Sequence, residues 1–197
     1  KHFFIENKKK LISITIILIV SVLSFYSFQI YKDKQIERIS DNFNSAVIEF
    51  KNGDKSKSTS SMKEVVKDKD STYSPLALYF LIDNNLIENQ TVINELFDIL
   101  IDETSLEKEI RHLIIYKKAL YNADFVDEIQ ILEMLKPVLN SESVWKSHAL
   151  YLIAEFFYSK KEMQKSKEFF EKIISTENAN QDIFIEAQKR LNRDLGE

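Results

Sequence analysis

Histidine is the side chain in this sequence best suited to binding a metal ion or moving a proton near neutral pH, and the chain has three. His2 lies in an N-terminal tail, whereas His112 and His148 fall on separate predicted helices. A metal pair on a helix needs a second ligand three or four residues further along, and neither helical histidine has one. We therefore interpret the histidines as surface or core residues and predict no metal site.

The other reactive side chains also lack a catalytic arrangement. The sequence has no cysteine, no Gly-rich phosphate loop and no Gly-x-Ser-x-Gly motif. Carboxylate pairs such as Asp102-Glu103 and Asp127-Glu128 occur among 31 acidic residues, and we interpret them as solvated faces or helix starts. We predict a protein that is not an enzyme, with no catalytic or cofactor-binding residue, no cofactor and no small-molecule substrate.

The charge of the chain argues against a nucleic-acid partner. The sequence has 27 Lys and Arg against 31 Asp and Glu, and residues 1–31 hold four of the former and one of the latter. Residues 32–197 therefore carry 23 basic and 30 acidic side chains, a formal charge of −7. Phosphate binding needs a basic footprint, which these residues do not supply.

Residues 11–31 form an uncharged apolar run that predicts a transmembrane helix. At 1.5 Å per residue, its 21 residues reach about 30 Å, the thickness of the bilayer's hydrocarbon core. Lysines precede the run at positions 8–10, and aromatic residues crowd its other end, as at a membrane interface. A buried soluble helix and a cleaved signal peptide are the alternatives. The run is too long for a signal peptide and lacks small residues at its exit.

The flanking charges predict the orientation of this helix. Residues 1–10 form a short basic tail, and such a tail stays in the cytoplasm while a long following domain is translocated largely regardless of its charge. We therefore expect residues 32–197 to face away from the cytoplasm.

The composition of residues 32–197 predicts an all-α domain. The whole chain has two glycines and two prolines, too few for a fold built on strands and tight turns. Apolar residues recur at helical spacing in nine segments. The predicted helices are 36–50, 58–67, 75–86, 91–101, 105–121, 126–139, 144–159, 163–175 and 182–195.

Local signals mark where several of these helices begin or end. We predict Ser74 as an N-cap with Pro75 at the first helical position, and Thr91 as the N-cap of the next helix. Thr104 and Glu107 have the spacing of a capping box. Pro137 predicts a kink or an early stop, because proline inside a helix costs about 3 kcal/mol.

The helices repeat with a period of about 35 residues, close to the 34 of tetratricopeptide repeats. Shifting the third pair by 35 residues superimposes six apolar positions on the fourth pair. The coinciding positions are Ile115 and Leu150, Ala119 and Ala154, Met134 and Phe169, Leu135 and Phe170, Val138 and Ile173, and Leu139 and Ile174. The matched alanines are the most informative, since a small residue is needed where two helices approach closely.

The last helix pair resembles a tetratricopeptide repeat. Leu150 and Phe157 flank Ala154 on its first helix, and Phe170 and Ile173 follow on its second. Two residues depart from the repeat. Lys161 stands where a glycine usually separates the helices, and Ser166 replaces the usual alanine.

The layout of the whole chain is similar to that of tetratricopeptide repeat-like bacterial inner-membrane proteins, the family of the ancillary SecYEG translocon subunit. The similarity rests on the lysine-bearing tail, the single span, a Gly53-Asp54 turn, the segment YSPLA at 73–77, and LKPVL at 135–139 before Trp145. It implies an inner-membrane protein with a periplasmic domain. It further implies association with the SecYEG translocon and with a periplasmic chaperone.

Aromatic residues cluster in the last pair, where stacked helix pairs can form a concave binding surface. Their spacing predicts Trp145, Phe157 and Phe170 in the core. Tyr151, Phe156 and Tyr158 remain candidates for a peptide groove. No residue is distinctive enough to be assigned as a binding site.

Two functions fit these features. The first is a membrane-tethered interaction scaffold that accompanies the Sec translocon and contacts periplasmic chaperones and secreted proteins. The second is a self-associating scaffold for envelope assembly or cell division. The span weakly encodes self-association, because Ser21, Ser24 and Ser27 recur at three-residue steps without glycine or a small-xxx-small pair.

Overall fold

The computed structural model describes residues 7–195, including their side chains except those of 8–11. Nine α-helices follow one another in this part of the chain, which contains no strand. They are α1 (Lys8–Lys51), α2 (Lys55–Lys67), α3 (Tyr73–Asp83), α4 (Gln90–Asp98), α5 (Lys108–Asn122), α6 (Glu128–Leu139), α7 (Lys146–Ser159), α8 (Met163–Ile174) and α9 (Gln181–Asp194). A π-helical turn, Ile99–Glu103, continues α4. The all-α prediction is confirmed, while the predicted tail at 1–10 lies mostly outside the described residues.

Helix α1 joins the apolar run to the rest of the molecule without a break. It is 44 residues long, and every described side chain between positions 12 and 31 is exposed. It is the one described helix long and apolar enough to cross a membrane. Further along the same helix, Ile39 and Ala46 are buried against α2 and α3. The membrane-length segment and the domain therefore share one continuous helix.

The later helices recur at regular intervals. Helices α2, α4, α6 and α8 begin at residues 55, 90, 128 and 163, and helices α3, α5, α7 and α9 begin at 73, 108, 146 and 181. Both series therefore advance by 35, 38 and 35 residues. The three additional residues lie between the starts of α5 and α6. Helix α5, with 15 residues, is one turn longer than α3, with 11.

Burial follows the same interval. In the six pairs of positions related by 35 residues, both members are buried in four pairs and both are half-buried in two. The half-buried pairs are Met134 with Phe169 and Leu139 with Ile174. Equivalent positions therefore face equivalent surroundings in successive helix pairs.

The core is a row of three apolar clusters rather than one centre. The first cluster spans α1 to α5, the second α5 to α8, and the third α7 to α9. Neighbouring clusters share a helix, so apolar packing continues from α1 to α9. The predicted core residues Phe157 and Phe170 are buried in the second and third clusters, and Trp145 lies half-buried at the edge of the second.

The predicted cap at Ser74 is wrong. Helix α3 begins at Tyr73, two residues before the predicted first helical residue Pro75. The carboxylate of Asp70 accepts hydrogen bonds from the backbone N–H groups of Thr72 and Tyr73. Asp70 displaces Ser74 as the acceptor because its carboxylate lies just ahead of the first turn. Pro75 still falls among the first four helical residues, whose N–H groups have no partner within the helix.

The predicted starts of the next two helices are also wrong. Asn89, rather than Thr91, caps α4 and accepts hydrogen bonds from two backbone N–H groups. Thr104 does not form a capping box, because its hydroxyl donates to the carbonyl of Ile99 and closes the π-helical turn. Helix α5 consequently begins at Lys108, beyond the predicted box. Pro137 lies inside α6, which continues two residues further to Leu139, so the helix does not stop early at the proline.

Three of the connections between helices use one turn geometry. Gly53, Asn85 and Lys161 all have positive φ angles, at 90°, 50° and 63°. In each case two backbone N–H groups beyond the helix bond back to carbonyls of its last turn, which is the Schellman arrangement. The predicted break at Gly53 is confirmed, and Lys161 adopts the conformation for which glycine is the usual residue.

Candidate functional site

A groove between α3 and α5 presents exposed apolar side chains within the described domain. It consists of two cavities of about 420 and 380 Å³ that meet at Tyr79. The first is lined by Ser71, Thr72, Pro75, Leu76, Tyr79, Leu106, Glu107, Ile110 and Leu113. The second is lined by Tyr79, Ile82, Asp83, Phe97, Lys117, Leu120 and Tyr121.

The groove exists because α3 and α5 pack mainly on other helices. Helix α3 lies chiefly against α2, whereas α5 lies chiefly against α6. The facing sides of α3 and α5 therefore stay partly uncovered: Leu76 is 47% exposed, Ile110 40% and Leu120 44%. Burial of such side chains by a partner would be favourable at about 25 cal/mol per Å² of apolar surface.

Tyr79 forms the junction between the two cavities. Its hydroxyl is buried and has no hydrogen-bond partner within the described residues. Burial raises the pKa of Tyr79 to about 12, so the side chain is a neutral phenol at physiological pH. The hydroxyl is therefore enclosed where the two cavities meet and is not exposed to solvent.

The two ends of the groove differ in charge. Glu107 lines the end formed by the starts of α3 and α5. Asp83 and Lys117 line the opposite end, where one charge of each sign is present. The first end is therefore acidic, and the second has no net charge from its lining residues.

The acidic end lies near the membrane-length part of α1. Two contacts fix the direction of α3 along α1: the Phe43 ring with the Tyr73 ring at 5.8 Å, and the Phe50 ring with the Phe80 ring at 5.3 Å. Just after α2, Asp68 pairs with Arg38 at 2.8 Å. Both helices therefore extend in the same direction, away from the apolar residues 11–31. Arg38 lies seven residues beyond position 31, a rise of about 10 Å.

The aromatic residues predicted for a groove are covered instead. Phe156 is buried in the second apolar cluster. The guanidinium carbon of Arg190 from α9 lies 4.2 Å from the centre of the Tyr158 ring. Tyr151 packs edge-on against Phe170. Helix α9 and its ion pairs therefore occupy the surface on which a peptide was expected.

The two described histidines lie in apolar surroundings. His148 is part of an aromatic group with Tyr116 and Trp145. His112 is 7% exposed, and its Nδ1 has no hydrogen-bond partner in the described part of the chain. Desolvation lowers the pKa of both histidines, which favours their neutral forms. Residues 7–195 contain no group of three His, Cys, Asp or Glu side chains arranged to hold a metal ion.

Comparison of the chain with protein-family models, with curated proteins and with solved structures gave no match. The candidate site therefore rests on its own geometry. Sequence reasoning missed the groove, although Ile110, Leu113 and Leu120 recur on one face of α5 at spacings of three and seven. That face adjoins the one that buries Ile114, four residues after Ile110, and the resulting wide apolar stripe was the available signal.

Proposed function

We propose that this protein is a membrane-tethered scaffold for protein–protein interaction, whose residues 32–197 form a tetratricopeptide repeat-like solenoid. The observation that carries the proposal is the register of the helices, which advance by 35, 38 and 35 residues in both series. Stacked helix pairs of this kind expose an extended surface between successive first helices. The groove between α3 and α5 occupies that position.

We further propose that the scaffold is an accessory factor of the Sec translocon in the bacterial inner membrane. The support is the sequence resemblance, together with a helix long enough to cross the membrane. In this proposal the N-terminus is cytoplasmic and the domain is periplasmic. Its partners are SecYEG, a periplasmic chaperone and secreted polypeptides.

Site-specific photocrosslinking in native membranes tests the scaffold function. Photoreactive residues at Leu76 and Ile110 probe the groove, and one at Ile48 probes an exposed position on α1 outside it. Translocon or chaperone subunits should be trapped from the domain. A crosslinking profile that contains neither class of subunit would reject the Sec-associated version.

The topology of the chain supplies a separate test. A periplasm-dependent reporter fused after Glu197 should be active if residues 32–197 are translocated. Activity of a cytoplasm-dependent reporter at the same position would reject both the periplasmic assignment and the link to periplasmic chaperones.

Self-association is a second candidate function, favoured by one exposed apolar pair. Phe125 is 68% exposed and Ile129 is 74% exposed, in and just after the connection between α5 and α6. A molar-mass measurement on the detergent-solubilised chain decides between the two functions. A mass that rises with protein concentration and falls in a Phe125→Asp variant would support self-association, whereas a concentration-independent monomer would reject it.

A further inference from the structure

The dimensions of the groove between α3 and α5 suit a short polypeptide segment. Ile110 and Leu120 mark its apolar length on α5, and the ten-residue rise between them is about 15 Å. That length matches about three turns of helix or about five residues of extended chain. The apolar side chains along it include Leu76 and Leu113, so apolar side chains of a partner would be buried there.

Charge gives the groove a direction. The six residues 102–107, at its end near the membrane-length part of α1, contain three carboxylates and no basic residue. Glu103 pairs with Lys69, whereas neither Asp102 nor Glu107 forms an ion pair with any described side chain. A cationic group at this end of the groove would therefore meet the unpaired carboxylate of Glu107.

The nearby basic residues neutralise this end only in part. Lys108 lies about 160° around α5 from Ile110, which faces the groove, and is directed away from it. Arg111 lies one helical turn after Glu107, and its guanidinium donates to the backbone carbonyl of Thr104, so it lies beside this end. Lys69 and Arg111 together offset two of the three carboxylates and leave one net negative charge.

We propose that the groove binds an apolar polypeptide segment that carries a Lys or Arg at the end nearest the membrane. This proposal rests on the scaffold function and specifies the chemistry of its partner. The apolar part of the segment contacts Leu76, Ile110 and Leu113, and its cationic end lies against Glu107. Ser71, which lines this end, follows three residues after Asp68, and Asp68 contacts α1 about 10 Å beyond position 31, so the cationic end lies close to the membrane surface.

Peptide binding to the full chain tests this proposal. The chain is placed in nanodiscs of phosphatidylcholine, a zwitterionic lipid that does not attract cationic peptides by net charge. The probes are two fluorescent ten-residue peptides of Leu and Ala, one with two lysines at one end and the other with two glutamates there. Fluorescence anisotropy measures Kd, and empty nanodiscs give the background.

The charge test compares the affinities of the lysine peptide and the glutamate peptide for the native chain and for the Glu107→Lys variant. The lysine peptide should bind the native chain about two- to fivefold more tightly than the glutamate peptide, the range expected for an exposed ion pair. Glu107→Lys should abolish or reverse this preference. Equal binding of both peptides to the native chain, or a preference unchanged in Glu107→Lys, would overturn the proposed charge recognition.

The apolar test uses two isoleucines that differ in position. Ile110→Asp, in the groove, should weaken both peptides about tenfold, as expected when a buried apolar contact is replaced by a charge. Ile48→Asp, at a more exposed site on α1 outside the groove, should leave both affinities unchanged. Equal effects of the two substitutions, no effect of Ile110→Asp, or no binding of either peptide would reject the groove as the site.

A crosslinker on the lysine end of the peptide tests its direction. It should label residues 102–107 rather than the region of Lys117 and Leu120. Failure of these peptide tests, combined with trapping of translocon or chaperone subunits from positions outside the groove, would reject this inference and leave the scaffold function standing. Specific peptide binding, combined with no trapping of translocon or chaperone subunits in membranes, would reject the Sec-associated scaffold function and leave the peptide-binding groove standing.

Discussion

The hydroxyl of Ser74 satisfies two backbone groups between α2 and α3. It donates to the carbonyl of Val65 at 2.6 Å and accepts from the N–H of Asp70 at 2.9 Å, and the side chain is fully buried. Ser74→Ala should therefore lower the unfolding free energy by about 1–3 kcal/mol, the cost of unpaired buried polar groups. Thermal unfolding followed by circular dichroism measures the loss. Ser71→Ala, at an exposed neighbour, should stay within about 0.5 kcal/mol of the native chain, and equal effects would contradict this role for Ser74.

Protonation of His112 should destabilise the fold as the pH falls. Burial lowers its pKa in the folded state below 6.5, with Lys108 and Arg111 also lowering it and Glu109 opposing them. The unfolded chain therefore binds the proton more readily, so stability is retained above pH 6.5 and lost as the pH drops below it. Thermal midpoints at pH 7.5, 6.5 and 5.5 measure the loss. His112→Gln should show a shallower dependence than the native chain, and parallel curves would exclude His112 as the cause.

At the scale of single residues, the sequence predicted burial better than capping. Apolar spacing identified Phe157 and Phe170 as core residues correctly, because helical periodicity decides which face is buried. The cap of α3 was not predictable in the same way. Asp70, Thr72 and Ser74 are all suitable N-caps, and the choice among them depends on how α2 and α3 pack.

At the scale of helices, the turn after α7 should become more stable when its left-handed residue is glycine. Lys161 has a φ angle of 63°, which costs a residue with a Cβ about 1–2 kcal/mol. Glycine removes that cost but loses more backbone entropy on folding. Lys161→Gly should therefore be about 0.5–1 kcal/mol more stable than Lys161→Ala, as measured by chemical denaturation. A more stable alanine variant would contradict a strained turn.

The existence of the helices followed from the sequence, but the position of the groove did not. Nine apolar segments gave nine helices, because each segment has its own 3.6-residue periodicity. The groove depends on the separation of α3 and α5, which is set by their packing on α2 and α6. The sequence kept Tyr151, Phe156 and Tyr158 as candidates for a groove in the last pair because it could not show that Arg190 covers Tyr158.

At the scale of the whole molecule, the continuous helix α1 should hold the start of α3 close to the membrane. The chain has no cysteine, so a nitroxide can be attached at a single introduced site. A label on Ser71→Cys should be broadened more by a lipid-bound relaxation agent than a label on Asn84→Cys at the far end of α3. Four Gly-Ser residues inserted after position 34 should reduce this difference without changing the thermal midpoint. Equal broadening at both sites in the uninterrupted chain would contradict the orientation.

With residues 12–31 in a bilayer, the absence of a joint in α1 would couple the domain to bilayer thickness. An apolar helix meets a thinner bilayer by increasing its tilt. Helix α1 extends 20 residues beyond position 31, or about 30 Å, so a tilt change of about 10° displaces its end by about 5 Å. The domain packed on that end moves with it. In that setting, a change in lipid composition would become a lateral shift of the groove relative to the bilayer.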